Sequence, residues 1–364
     1  MNYCDKIRYR IFRTGSAPFP LMADRLLEQL PVGEAVLRLS FFGTPPSNDE
    51  YLARRAVLKE KISAYYGGPA PALSYVSQPP LDAPLIMEVH SIARDKSDEI
   101  AYKCLRDCHY TVLETTAGRF LFAGGIQSDI TSETIGRQSE KIFMQADELL
   151  KTEGFPVNSI VRQWNYIEQI TGLTGGDQNY QSFNNARSDF YSRSDWANGY
   201  PAATGIGTNM GGVVVDFDAV LFTSPGAFAT PIDNPLQIAA HAYSADVLKT
   251  AFEKKTTPKF ERAKSLTFGQ RRLVYISGTA AIRGEESLKG TGLELQLRAT
   301  MENIGRLTGN SMLSLLRVYL KNKADYEPAR QLMNTYNLSI PVSYMCADVC
   351  RDELLIEIEG IAIE

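Results

Sequence analysis

The chain repeats its own plan. Two short apolar strands, Arg119-Phe-Leu-Phe-Ala-Gly-Gly-Ile126 and Arg272-Leu-Val-Tyr-Ile-Ser-Gly-Thr279, end in glycine-containing turns and open the same succession of elements. Helical spacing follows in each: Ile142, Ala146, Leu149 and Leu150 share a face in Ile135–Glu153, and Leu297, Met301, Ile304 and Leu307 share one in Leu293–Leu307. Strands come next at Ser159–Ile167 and Leu313–Leu320, then second amphipathic helices at Asn179–Tyr191 and Asp325–Tyr336. Pro201 and Pro341 precede further strands, and apolar strands at Val213–Phe222 and Leu354–Ile363 close each succession. A β-α-β-α-β-β order that returns after roughly 150 residues restricts the chain to tandem α+β modules.

The modules are expected at 115–225 and 270–364. Residues 1–114 read as a degenerate third copy, with strands at Arg8–Arg13, Ala35–Phe42 and Leu85–Ile92. Its one strong helix, Asn48–Tyr66, has acceptors at Asn48, Asp49 and Glu50 and is ended by Gly67-Gly68. Residues 226–269, broken by Pro231, Pro235 and Pro258, read as a connector with room for a short helix at Ile238–Phe252.

Charge narrows the ligand. A net charge of −4 gives no global field for nucleic acid or an anionic membrane, so an anionic ligand has to be held by local arginines. The sequence has neither a basic patch nor an aromatic platform for RNA. No run approaches the ~18 apolar residues of a spanning helix, and Met1–Arg8 carries charges where a signal peptide needs an apolar stretch. A cytoplasmic, membrane-free protein is expected. The five cysteines are too few and too sparse for a disulfide framework. The pairs Cys104/Cys108 and Cys346/Cys350 suit adjacent turns of one helix, and only His109 lies near either, so no metal is expected. Three scattered histidines build no Ser-His-Asp set. Gly205-Ile-Gly207 lacks the third glycine and the helix of a nucleotide loop, so no cofactor is expected either.

On the last strand, alternation puts Glu357 and Glu359 on one face and Ile356 and Ile358 on the other. By pattern alone these are two solvent-facing glutamates, and Arg162, Arg187, Arg262 and Arg351 are surface ion-pair residues, Arg351 with Asp348. Tyr180, Tyr344 and Thr204 offer rotatable hydroxyls. Gly278, before Thr279, and Gly205 permit close backbone approach, and Trp164 reads as packing.

The segments Val274–Ile282 and Ala347–Ala362 resemble the RidA/YjgF superfamily, trimers of small α+β units with ligand clefts between neighbours. Arg162-Gln-Trp-Asn-Tyr-Ile167, Tyr180-Gln-Ser-Phe-Asn-Asn-Ala-Arg187, Pro201-Ala-Ala-Thr-Gly-Ile-Gly207, Asn234-Pro-Leu-Gln237 and Phe260-Glu-Arg-Ala263 resemble its chorismate-hydrolysing branch, the chorismatases. The resemblance implies RidA/YjgF-like (chorismate mutase-like) modules arranged as an internal pseudo-trimer, a monomer or a homotrimer. It implies a cofactor-independent enzyme that takes a small anionic cyclic carboxylate, protonates the enol-pyruvyl ether of chorismate and releases pyruvate. Glu357 matches the family's acid, and Arg187 and Arg262 fall in motifs that clamp carboxylates. Arg162 is a third clamp or orders the loop beneath. Tyr180, Thr204, Gly278, Thr279 and Tyr344 surround the substrate, Glu359 is structural, and Arg351 leans to structure. Product outcome follows Ala263 and Cys350, with Cys346 as the alternative cysteine: alanine leans to a dihydroxycyclohexadiene acid, cysteine to a hydroxybenzoate. The chain departs from the family pattern in having Gly284-Glu-Glu-Ser287 where a Gly-His-Glu-Ser segment is usual, and Asn179-Tyr180 where Arg-Tyr is common. Two other readings remain open: a Rid-like enamine or imine hydrolase, and a non-catalytic small-carboxylate-binding protein.

Overall fold

The computed structural model describes residues 2–174, 177–244 and 256–364. Its backbone forms three mixed sheets of one design. The first contains β1 (Ile7–Thr14), β2 (Glu34–Gly43), β3 (Ala72–Val76) and β4 (Leu85–Ala93), with helices α1 (Phe19–Leu27) and α2 (Asn48–Tyr66). The second contains β5 (Glu99–Leu105), β6 (Cys108–Glu114), β7 (Gly118–Gln127), β8 (Ile160–Glu168), β9 (Ala202–Thr208) and β10 (Val213–Phe222), with α3 (Ile135–Thr152) and α4 (Asn179–Tyr191). The third contains β11 (Ala227–Ile232), β12 (Ala263–Phe268), β13 (Arg271–Ala280), β14 (Met312–Leu320), β15 (Val342–Cys346) and β16 (Ile356–Ile363), with α5 (Leu293–Thr308) and α6 (Tyr326–Asn334).

In hydrogen-bonded order the sheets read β3-β2-β4-β1, β9-β8-β10-β7 and β15-β14-β16-β13, so each unit places its third, second, fourth and first strands side by side. The second and third strands run parallel in every sheet and the other pairs antiparallel. The first unit is therefore a full copy, not a degenerate one. Its α1 begins with Pro20 in the first turn and its β3 is five residues long, which hid both from periodicity. Helix α2 has Ser47 as its cap, accepting from Glu50 N, and Gly67 closes it at φ 70°. Asn48 instead accepts from Gly211 N across the unit boundary.

Sheet membership also corrects the expected boundaries. β6 hydrogen-bonds to β7 and β5 to β6, so residues 99–114 extend the second sheet, not the first. β11 and β12 extend the third sheet in the same way, so both ends of the 226–269 connector are strands. Of the helix expected at Ile238–Phe252, residues 245–252 lie outside the described residues, and Ala240–Ala242 is a single 3-10 turn. The cysteine pairs share no helix: Cys104 and Cys108 flank the β5–β6 turn, and Cys346 ends β15 with Cys350 in the following loop.

Each sheet buries its outer face against its own two helices. The fourth strands show how. Leu85, Met87 and Val89 of β4, Val213, Val215 and Phe217 of β10, and Ile356 and Ile358 of β16 face helices. The alternate residues face the other sheets, and two shared cores form there, one with Leu37, Phe122, Tyr275 and Ile361, the other with Phe42, Trp164, Tyr166 and Tyr319. Close backbone contact at the seams requires glycine: a Cβ at Gly124 would stand 2.7 Å from Leu73 N. No described helix is long and apolar enough to cross a membrane.

Candidate active site

A cleft opens where the second unit meets the third. Tyr180, Gln181 and Asn184 of α4 form one wall. Gly278, Ala280 and Glu357 of the third sheet form the other together with Arg262, just before β12, and Tyr243, Phe260, Cys350 and Arg351 close its ends.

Strand alternation carries Glu357 to this wall, opposite Ala280 on β13 and Tyr319 on β14. The sheet is irregular between Ile276 and Thr279, which brings the backbone of Gly278 under the Glu357 carboxyl. A Cβ at Gly278 would overlap that carboxyl and stand 3.1 Å from the Thr204 methyl. Glu357 is 4% exposed, and among the described residues its carboxyl accepts no hydrogen bond. Burial, and then the nearby Glu359 charge, push its pKa up to about 8, against the opposing pull of Arg162, Arg262 and Arg351. It is an acid that keeps its proton at neutral pH.

Glu359 points to the same side and is occupied. It accepts from Tyr319 OH at 2.7 Å, from Arg317 Nη1 at 3.1 Å, and from Arg162 and Thr204 Oγ1. Its structural role is therefore filled by side chains, and neither glutamate faces open solvent.

Two guanidinium groups reach the cleft. Arg262 donates through Nε and Nη2 to Ile238 O at 3.2 and 2.7 Å and through Nη2 to Tyr243 OH. Arg351 donates through Nη1 to Glu285 O at 2.8 Å and to Ser287 Oγ at 3.1 Å, and it does not bond Asp348. Both guanidiniums lie against the Tyr243 ring, each with its central carbon 5.3 Å from the ring centroid. Arg351, expected to be structural, thus stands in the cleft.

Other expected residues lie elsewhere. Arg162 is buried in the ion pair with Glu359 and stacks 4.6 Å over Trp164, which is core. Arg187 lies behind the α4 wall, bonded to Asn184 Oδ1 at 2.6 Å, with a buried Nε that finds no acceptor among the described residues. Thr204 turns its hydroxyl to Glu359 and its methyl to Gly278. Thr279 is buried and bonds Ser277 O. Ala263 follows Arg262, so it faces the opposite side and is packed with Val274 and Leu297 under the helices. Tyr344 sits on edge strand β15, 5.3 Å from the Tyr326 ring and away from this cleft. Cys350 lines the cleft, its thiol pushed up to about 12 by burial and by Glu357, whereas Cys346 bonds Lys321 O. Tyr180 packs on Gly205, where a Cβ would come within 2.8 Å of its ring. The sequence reading missed Asn184, Gln181, Tyr243 and Phe260; for Asn184 the signal was its place four residues beyond Tyr180 on one helix face.

The same registers locate the counterparts of Glu357 in the other units. Val214 pairs with Gln127 and Tyr166, and Ile86 pairs with Arg13 and Phe42, so neither counterpart carries a proton donor. Among the described residues no group of three or more His, Cys, Asp or Glu side chains is placed to hold a metal ion.

Residues 95–219, which take in the second sheet as far as Ala219 of β10, match the family described as chorismatase FkbO/Hyg5-like, N-terminal. A 3-hydroxybenzoate synthase from Streptomyces hygroscopicus is 30% identical over 237 residues, covering 59% of this chain and 66% of the relative. A chorismatase from Streptomyces rapamycinicus is 28% identical over 233 residues, covering 59% and 66%. The chain thus spans just under two thirds of the length of these curated relatives. A chorismatase crystal structure superposes with a TM-score of 0.73 at 22% identity and covers 98% of both chains, which establishes a common fold. In sequence the chain is similar to chorismatases through the family model and these relatives, and its chain path has the fold of one.

Proposed function

We propose that the chain is an enzyme that cleaves the enol-pyruvyl ether of chorismate, or of a closely related cyclic dicarboxylate, and releases pyruvate. The observation that carries this reading is a buried Glu357, its pKa pushed up by burial, facing a cleft that also presents Arg262 and Arg351. An enol ether is inert until its terminal methylene gains a proton. Glu357 donates that proton, the methylene becomes a methyl group, and the ether carbon becomes an oxocarbenium ion. Water adds to it, returns a proton to the Glu357 carboxylate, and the hemiketal collapses to pyruvate and a ring alcohol. The dianion needs two anchors, and planar guanidinium suits a carboxylate. Arg262 and Arg351 are the two in the cleft, while Arg187, through Asn184, and Arg162, through Glu359, support its walls. Metal or cofactor chemistry is not called for in this sequence of steps.

One observation favours a particular product. Of the two residues that the family resemblance links to product outcome, Cys350 lines the cleft and Ala263 is in the core. That favours a hydroxybenzoate, formed when the ring alcohol loses one water as it aromatises, so that hydroxybenzoate and pyruvate together have the composition of chorismate. Pyruvate release, coupled to lactate dehydrogenase, tests the activity: signal no greater than that of the Glu357→Gln variant refutes it. Chromatography of the ring product from wild type and from Cys350→Ala tests the branch, with hydroxybenzoate expected from the first and more dihydroxycyclohexadiene acid from the second. Because three sheets already close on one another within one chain, we place it as a monomer, and its five free cysteines suit the reducing cytoplasm.

A further inference from the structure

A second buried cluster of charge lies behind the cleft, where the inner faces of the three sheets meet. Glu88, Asp216 and Glu359 hold the same place on the fourth strand of each unit, opposite Ser40, Trp164 and Arg317 on the second strands. All three acids are buried, and three arginines answer them. Arg38 pairs with Asp218 at 2.5 Å and Asp216 at 3.4 Å. Arg317 holds both oxygens of Glu88, at 2.6 and 2.9 Å, and reaches on to Glu359 at 3.1 Å. Arg162 takes the other oxygen of Glu359. The three guanidiniums surround one ring, Trp164, at 5.0, 4.6 and 5.5 Å from its centroid.

We propose that Glu359 is the positioning residue of the site: locked by Arg162, Arg317, Tyr319 and Thr204, it is the fixed anion on the Glu357 face of the strand that keeps the proton on the acid. This rests on the reading of Glu357 as proton donor. Two residues on one strand face stand about 6.6 Å apart along the chain, too far for a hydrogen bond but close for two charges away from water. The other groups facing Glu357 are Arg162 from β8, Arg262 from just before β12, Tyr319 from β14, Cys350 and Arg351 from the loop before β16, and Tyr180 from α4. The three cations among them favour the carboxylate, so Glu359 is the charged neighbour that works the other way. The first unit, which supplies no residue to the cleft, bears on the acid through Glu88 and Arg317. That gives the first unit a chemical reason to be in the chain.

The test is a titration that needs no turnover. In protein labelled with side-chain carboxyl 13C glutamate, the Glu357 resonance is the one lost in Glu357→Gln. Its midpoint is expected to fall by at least about one pH unit in Glu359→Gln, which removes the like charge and leaves Arg162 unopposed. In Tyr319→Phe, which keeps the Glu359 charge but removes a donor that offsets it, the midpoint is expected to rise by a few tenths. A merely structural role moves neither in opposite senses. If Glu359→Gln does not fold, Tyr319→Phe alone decides, and a fixed or lowered midpoint overturns the proposal. A midpoint unchanged in both variants overturns it even where chorismate is turned over. Opposite shifts without any turnover uphold the positioning role and overturn only the reaction assigned.

Discussion

Replacing Glu357 by glutamine should make the protein more stable at alkaline pH and leave its stability nearly unchanged at acidic pH. The folded chain holds the Glu357 proton up to about pH 8, whereas an unfolded glutamate releases it near ~4.3. Between those values the native state binds one proton more than the unfolded state. Stability therefore falls as pH rises, by about 1.4 kcal/mol per unit. The window is between three and four units wide, so wild type loses on the order of 4–5 kcal/mol by pH 8, and glutamine, uncharged and of the same shape, loses none of it. With an unfolding entropy of ~2.1 cal/mol/K per residue, a chain of this length converts that into a Tm difference of about 5–6 °C. Differential scanning fluorimetry of both proteins at pH 5 and pH 8.5 reads it. A Tm difference that does not grow between the two pH values would refute the burial and the protonation of this carboxyl together.

Three further outcomes can be checked on the same material. Gly278→Ala should fold, since the Gly278 φ lies outside the positive range, yet it should lose on the order of 10²–10⁴ in kcat because the new Cβ displaces the Glu357 carboxyl; activity within a few-fold of wild type contradicts the placement of the acid. Arg262→Lys and Arg351→Lys should each raise KM at least about tenfold, because a point charge cannot replace a planar fork; steady-state kinetics decide, and an unchanged KM removes that arginine from the cleft's anchors. Isothermal titration with an unreactive dicarboxylate analogue should give one site per chain, since Val214 and Ile86 replace the acid in the other two units; three sites would contradict the single-cleft account.

How much of this was legible depended on whether the information was local. Helices such as Ile135–Thr152 and Asn179–Tyr191 announce themselves by apolar spacing, and the closing strand announces itself by alternation. Strands β5, β6, β11 and β12 did not, although β5, β6 and β12 each pair with the next strand across a short turn, because local apolar spacing does not encode which sheet a hairpin joins. In the site, alternation brought Glu357 to the cleft face, whereas the sequence left open which of Cys346 and Cys350 lines it, since Cys350 lies in a loop. Ala263 was misplaced although alternation separates it from Arg262, and Tyr344 was misplaced because nothing local says which end of a sheet an edge strand occupies. Arg351 and Tyr243 come from aperiodic loops whose paths depend on contacts with Ser287, Glu285 and Arg262. The burial of Glu359 was invisible because its partners, Arg162 and Arg317, come from two other strands.

The most direct measurement follows the proton. Chorismate turned over in D2O, with the pyruvate trapped at once as lactate and weighed by mass spectrometry, should yield a methyl group carrying one deuterium from wild type and no product above background from Glu357→Gln. Pyruvate without deuterium, or labelled pyruvate formed equally fast by the variant, would contradict protonation of the enol ether by this buried carboxyl.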